Sequence, residues 1–227
     1  MAQSNLALRV LSAAVLAPIA VAAAYFGDWA FTLFWAVAAI AVAWEWTRLV
    51  KGADSGLVWL LSGILYAGSL FAAPVILRSD PAFGLLAIVL LFAIVWSTDI
   101  FGYFAGRAIG GPKLMPAVSP KKTWSGAIAG TLGAMIVDVL VAKLFGSFST
   151  TAIAGVALLL SVCGQAGDLF ESWVKRKFGV KDSSQLIPGH GGVMDRLDGF
   201  WAAAVVGCII GLARGGFEAP ARGLLVW

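Results

Sequence analysis

Long apolar runs, one after another, constrain this chain more than anything else in it. Seven can be drawn: Leu8–Phe26, Trp29–Val50, Leu57–Leu77, Phe83–Ala105, Ala127–Phe145, Ile153–Leu169 and Phe200–Ala213. A helix needs about 20 mostly apolar residues to cross a bilayer. Inside hydrocarbon the backbone must satisfy its own hydrogen bonds, which leaves helices or closed barrels. Runs of this length predict an all-α polytopic transmembrane helical bundle of about seven spans. Charge agrees: only 12% of residues are charged, against roughly a quarter in soluble domains. Mean hydropathy is +0.92. Near the start of the first run a single Arg precedes Val10–Tyr25, and Ala22–Ala24 supplies small residues, features a signal peptide shares. More runs follow it, so it reads as a retained span. No linker or internal repeat divides the chain, which reads as one integral membrane domain, 1–227. Its N-terminal spans occupy 1–105 and a polar, catalytic half occupies 106–227.

The polar residues are unevenly placed. Net charge is +4, and nine of the 16 Lys and Arg fall in two stretches, 107–126 and 165–198. In a membrane protein such an excess marks cytoplasmic loops, not nucleic-acid binding. With both stretches cytoplasmic, two spans lie between them and four precede them. The N-terminus is then cytoplasmic and the C-terminus lies on the far side. Among the far-side loops only Arg78, beside Asp80, carries a cation. Cys163 and Cys208 sit in apolar runs and read as small hydrophobes. With one His and no His/Cys cluster, a structural zinc site is excluded. Glu45, between Trp44 and Trp46, reads as an acid held near the headgroups by an aromatic belt, with a functional intramembrane acid as the alternative.

Asp99, Tyr103 and Gly106 are spaced by four and three, so they share one helical face. An acid at that depth costs roughly 3 kcal/mol unless paired or wet, and marks a functional site. Gly102 and Gly106 form a small-xxx-small pair suited to close helix approach. In Ser119-Pro120-Lys121-Lys122-Thr123, two cations and two hydroxyls precede a helix. Ser119 is placed to N-cap it with Pro120 at the first helical position, and such a terminus attracts phosphate. Asp168, Ser172 and Lys175 form a second stripe of carboxylate, hydroxyl and ammonium. Ile187-Pro-Gly-His-Gly-Gly192 is a turn that lets phosphate approach the backbone. His190 within it reads as a phosphate or base contact, with capping as the alternative. Asp195 and Asp198 flank Arg196 and offer hard oxygen ligands for Mg²⁺. Cations, Gly-rich turns and carboxylates at one membrane surface point to Mg²⁺-dependent phosphoryl or nucleotidyl transfer involving a lipid.

The 27 residues from Ser172 to Asp198 resemble the signature of the phosphatidate cytidylyltransferase (CDP-diacylglycerol synthase) family. Ser172, Lys175-Arg176, Lys181-Asp182, Pro188, His190-Gly191-Gly192 and Asp195-Arg196-Leu197-Asp198 stand at the spacing of that signature. Residues 119–123 and the Asp-x-x-Gly-Tyr run at 99–103 are similar to further family elements. One departure is Ser125, where family members commonly carry Glu. The resemblance implies CMP transfer from CTP to phosphatidic acid, giving CDP-diacylglycerol and pyrophosphate in phospholipid biosynthesis. It implies Asp168 and Asp195 as metal ligands for Mg²⁺, with K⁺ as a second cation. It implies Ser172, Lys175, Lys121, Lys122 and Arg196 as phosphate-holding residues. Asp198 would orient Arg196 or act as an outer ligand. Ser119, Thr123, Arg176, Lys181, His190, Gly191, Gly192 and Asp99 complete the substrate-binding set. A homodimer among membrane lipids follows from the same resemblance. So does a multi-pass place in a bacterial inner membrane, with the active site facing the cytoplasm.

Two other readings compete. Enzymes that consume CDP-diacylglycerol resemble one another in a motif ending Gly-x-x-x-Asp-x-x-x-Asp. Here Gly191 and Asp195 are followed by Asp198, at the wrong spacing. A transporter for an anionic solute would also place an acid such as Asp99 in the membrane. Its polar residues would then be expected in paired, broken helices, whereas here they lie in contiguous segments.

Overall fold

The computed structural model describes residues 2–51, 53–54, 56–189 and 191–227; within 2–13 the side chains of Leu8, Leu11 and Ser12 are described. Eight helices and one small hairpin make up the described chain: α1 (Ala2–Phe26), α2 (Asp28–Leu49), α3 (Gly56–Arg78), α4 (Gly84–Ala108), β1 (Lys113–Met115), β2 (Ser119–Thr123), α5 (Trp124–Phe145), α6 (Thr150–Lys177), α7 (Met194–Gly215) and α8 (Pro220–Leu225). Six of them, α2 to α7, are long and apolar enough to cross a membrane. The protein is an all-α polytopic membrane bundle. α1 runs beside the six, its Ser12 Oγ donating to the Pro188 carbonyl at one end and its Ala24 carbonyl accepting from Arg78 Nε at the other.

The ends of the bundle differ in kind. One end holds the C-termini of α4 and α6, the N-terminus of α7 and the β1–β2 hairpin. The other is closed by short caps. Arg78 donates to the carbonyls of Ala24 and Tyr25 at the end of α1. Asp80 accepts from the backbone N–H groups of Ala82, Phe83 and Arg222. The far-side cation of the sequence is thus consumed in capping. The bond from Arg222 ties α8 to the α3–α4 connection, which puts the C-terminus on the face opposite the polar stretches, as the span parity requires.

Two helix pairs pack through glycine. A Cβ at Gly130 of α5 would lie 2.6 Å from the Thr98 carbonyl oxygen of α4, and one at Gly126 would lie 2.7 Å from that of Gly102. Gly102 and Gly106 therefore do serve close approach. On α6, a Cβ at Gly167 would lie 2.6 Å from the Asp198 carbonyl oxygen of α7. Such seams suit a bundle in lipid, where close backbone packing replaces the hydrophobic effect between helices. A hydroxyl ladder crosses three helices beside them. Ser161 Oγ of α6 lies 2.8 Å from Thr98 Oγ1 of α4 and 3.1 Å from Thr131 Oγ1 of α5, and Gln165 Nε2 donates to Thr131 Oγ1. Stacked rings, Trp46 on Tyr66 and Tyr66 on Trp201, join α2, α3 and α7.

Two expectations are corrected. Residues 119–123 form an extended strand antiparallel to β1, with Met115 paired to Ser119 and Lys113 to Thr123, not a helix N-terminus. Pro120 lacks an N–H but is tolerated in a two-stranded hairpin, where edges are free. The cap passes to Thr123, whose Oγ1 accepts from Gly126 N. Glu45 does not face the surface in an aromatic belt either: it is fully buried within the protein. Trp44 alone of its neighbours fits the belt, half-exposed beneath the Arg48 guanidinium, while Trp46 is buried. The glycine seam yields a direct test. Gly130→Val should cost about 1–3 kcal/mol, the usual range for forced overpacking, read as a lowered unfolding midpoint in detergent.

Candidate active site

The seams bring three carboxylates from three helices around one small cavity. Asp99 of α4, Asp168 of α6 and Asp198 of α7 line it, with Lys122 of β2 and Gln165. Its volume is about 20 Å³, above the roughly 10–15 Å³ that one water requires. Lys122 Nζ is ion-paired with Asp168, and Ser172 Oγ donates to Asp168 at 3.4 Å. Asp198 accepts from Gly199 N at 2.8 Å. Three acids face one ammonium, so acidic side chains outnumber cations in this lining.

A second cavity, of about 640 Å³, adjoins the first and shares Thr98, Asp99, Lys122 and Gln165 with it. Its lining has the opposite sign. Arg107, Lys113, Lys121 and Lys122 face it, against Asp99 alone. The hairpin explains this concentration. It folds β1 and β2 back over the end of α4, so Lys113, Lys121 and Lys122 meet Arg107. Arg107 Nη1 also donates to Tyr103 Oη at 3.0 Å. The acid at Asp99 is thus wet, exposed to a cavity instead of to lipid. Ser125, at the position of departure from the family pattern, donates to the Gly110 carbonyl and ties the α4–β1 connection to α5.

The remaining polar residues form a buried clamp. Lys175 Nζ lies 2.6 Å from Asp195 Oδ1 and 2.6 Å from Glu171 Oε2. Asp195 also accepts from the backbone N–H groups of Ser183 and Gly192 and from Ser183 Oγ. Lys175, Glu171 and Asp195 are all buried. This alters the expected roles of two residues. Lys175 does not face either cavity, because its ammonium is taken by two carboxylates. The oxygens of Asp195 are filled by donors, whereas Asp168 opens to the small cavity beside Asp99 and Asp198.

Other expected contacts divide in the same way. Lys121, Lys122, Thr123 and Asp99 line the large cavity, though Thr123 is buried as the α5 cap. Gly191 and Gly192 belong to the clamp. Arg176 donates to the Val180 carbonyl in the connection that follows α6. Ser119 is half-buried in β2, and Arg196 and Lys181 are exposed. His190 lies outside the described residues. Sequence reasoning missed Glu171, Ser183, Gln165, Arg107 and Lys113 as members of the site. Glu171 carried a usable signal, standing four residues before Lys175 on one helical face. Removing one partner of a buried charge cluster typically costs about 3–5 kcal/mol. Lys175→Met should therefore lower stability in detergent by about that amount, and more than Glu171→Gln does, as read by chemical unfolding.

Comparison with known proteins gives the family of the chain. A family model described as the cytidylyltransferase family matches residues 56–212. A protein of Brucella abortus (strain 2308) named phosphatidate cytidylyltransferase is 42% identical, the match covering 89% of this chain and 92% of that protein. One of the same name from Rickettsia bellii is 38% identical, covering 86% of each. One from Rickettsia typhi is 33% identical, covering 90% of this chain and 91% of the relative. The family model takes in both glycine seams, both cavities and the clamp's core of Glu171, Lys175 and Asp195, so the chain that carries them belongs to the cytidylyltransferase family.

Proposed function

We propose that this protein transfers the cytidylyl group of CTP to phosphatidate, giving CDP-diacylglycerol and pyrophosphate. One observation carries the reading: a four-cation cavity of about 640 Å³ adjoins a small three-carboxylate cavity at one end of a transmembrane bundle. A phosphate oxygen of the lipid attacks the α-phosphorus of CTP with a lone pair. The bond from that phosphorus to the bridging oxygen of the β-phosphate breaks, and its electrons leave on pyrophosphate. No proton need move, because the attacking phosphate is already ionised. Two anions must nevertheless be held together, so charge neutralisation and positioning are the main work. Lys121, Lys122, Lys113 and Arg107 offset the triphosphate and lipid phosphate, and Tyr103 orients Arg107.

The small cavity suits a divalent cation. Its donors are hard oxygens. Among the described residues no three His, Cys, Asp or Glu side chains are placed to hold a metal by themselves. Mg²⁺ usually takes one or two carboxylates and completes its shell with water and substrate phosphates, so an open site is what it needs. Asp168, with one neighbouring carboxylate from Asp198 or Asp99, would hold it. Bound there, it would supply electrostatic stabilisation to the transferring phosphoryl group. Asp195, already filled by donors, supports this arrangement from the clamp.

The same proposal places the enzyme in a bacterial inner membrane with the cavities facing the cytoplasm, supported by the basic residues gathered at that end. It includes the homodimer, for which light scattering in detergent should give a protein mass of twice 23.6 kDa. The reaction is tested with purified protein, phosphatidate, Mg²⁺ and CTP labelled at the α-phosphate. Label should enter the lipid phase. Lys122→Ala and Asp168→Asn should each reduce the rate about 10²–10³-fold, as loss of one charge-stabilising contact does elsewhere. Label that stays aqueous with folded wild-type protein would overturn the reading.

A further inference from the structure

We propose that Glu45, on α2 and far in sequence from every residue of the site, is a positioning residue that holds the 183–194 loop in its working shape. Its carboxylate is fully buried. Among the described residues no Lys or Arg pairs with it. Three donors fill it instead, and a fourth, the single Ser183 hydroxyl, is shared with Asp195. Oε1 accepts from Val193 N at 2.8 Å and from Ser184 Oγ; Oε2 accepts from Met194 N at 2.7 Å and from Ser183 Oγ at 3.3 Å.

Two of those donors are backbone N–H groups at the start of α7. The N-cap residue of α7, Val193, offers no side-chain cap of its own. Four N–H groups at a helix start have no intrahelical partner, and a carboxylate there also meets the positive end of the helix dipole. Glu45 thus caps α7 from another helix, 148 residues away. Asp195 completes the grip by taking Gly192 N. The fit is close: a Cβ at Gly192 would overlap Ser183 Oγ and Glu45 Oε1, so a side chain there would displace the carboxylate and the hydroxyl.

The consequence is positional. Asp198, which lines the small cavity, lies one helical turn beyond the capped start of α7. An unanchored start would let Asp198 and the Lys175–Asp195 clamp shift relative to α6. Misplacement by about 1 Å can cost 10²-fold in rate.

Glu45→Gln is the discriminating substitution. It keeps shape and volume but converts one acceptor oxygen into an NH₂ donor. A serine hydroxyl can rotate to accept from that group; a backbone N–H cannot. One of Val193 N and Met194 N is therefore left without a partner. Hydrogen–deuterium exchange on wild type and Glu45→Gln in detergent measures this directly. Exchange in the 183–194 segment should rise at least tenfold in the variant. Peptides from the α4–α5 seam, which serve as the folding control, should stay protected. In the transfer assay kcat should fall about 10²-fold, with KM for CTP within threefold.

The kinetic part rests on the cytidylyl-transfer reading; the exchange part does not. Inactive wild type with the exchange difference present would overturn that reading and uphold the anchor. Unchanged exchange at 183–194 in a folded variant would overturn the anchor, whatever the activity. A Glu45→Gln enzyme with wild-type kcat would overturn the positioning role. If Glu45→Gln fails to fold, Ser184→Ala removes one of the four donors and leaves the carboxylate in place. It should raise exchange in the same segment by a smaller factor, and no rise there would overturn the anchor.

Discussion

A buried carboxylate is tolerated in a membrane protein only when donors surround it, and this fold is arranged around two that are. Removing a charge from water costs several kcal/mol even after relaxation. Glu45 meets that cost with the Ser184 hydroxyl and two backbone N–H groups, Asp195 with an ammonium and two backbone N–H groups, and the Ser183 hydroxyl is shared between them. Both draw on the same dozen residues, 183–194. A loop of that length, rich in glycine and serine, packs into the apolar core through Val193 and Met194 at its end. The two carboxylates add a polar attachment, one from α2 and one from α7. The backbone donors of Ser183, Gly192, Val193 and Met194 are taken up by acids, and the acids are stable because the donors are there.

The glycine seams do for the helices what the carboxylates do for the loop. Gly130 and Gly126 draw α5 onto α4, and Gly167 draws α6 onto α7. Asp99 follows Thr98, whose carbonyl meets Gly130. Asp168 follows Gly167, which meets the carbonyl of Asp198 itself. Each cavity-lining carboxylate therefore stands at, or one residue from, a point of closest backbone contact. That placement converts helix packing into ligand geometry. Side chains fixed beside a backbone contact have little freedom to drift, and preorganised charge is what electrostatic catalysis needs.

How much of this could be read in advance depended on the type of signal. The apolar runs gave the bundle, because hydrocarbon permits few other solutions. Asp168, Ser172 and Lys175 were legible as a stripe, because helical spacing fixes faces. What spacing does not fix is which way a face turns, so Lys175 was assigned to phosphate when its partners are Glu171 and Asp195. Residues 119–123 were assigned to a helix start because Ser-Pro is a good cap, but the hairpin pairing with 113–115 is a nonlocal interaction that no local propensity records. Glu45 was assigned to the headgroups because two tryptophans flank it. Its donors lie about 140 residues downstream, and only the fold brings them together.

Lys122 shows why the two cavities work as one site. It is the cation common to both linings, and in the resting arrangement it is paired with Asp168. The pair is partly exposed, so its attraction is screened and it is readily exchanged. In the proposed reaction a triphosphate in the larger cavity would compete with Asp168 for the ammonium. Were Lys122 drawn to phosphate, Asp168 would lose its counter-ion and the small cavity would hold a divalent cation more tightly. By linkage, a cation held there would favour the triphosphate in turn. The hairpin matters to this coupling because β2 places Lys122 against Asp168 while Lys121 lines the larger cavity.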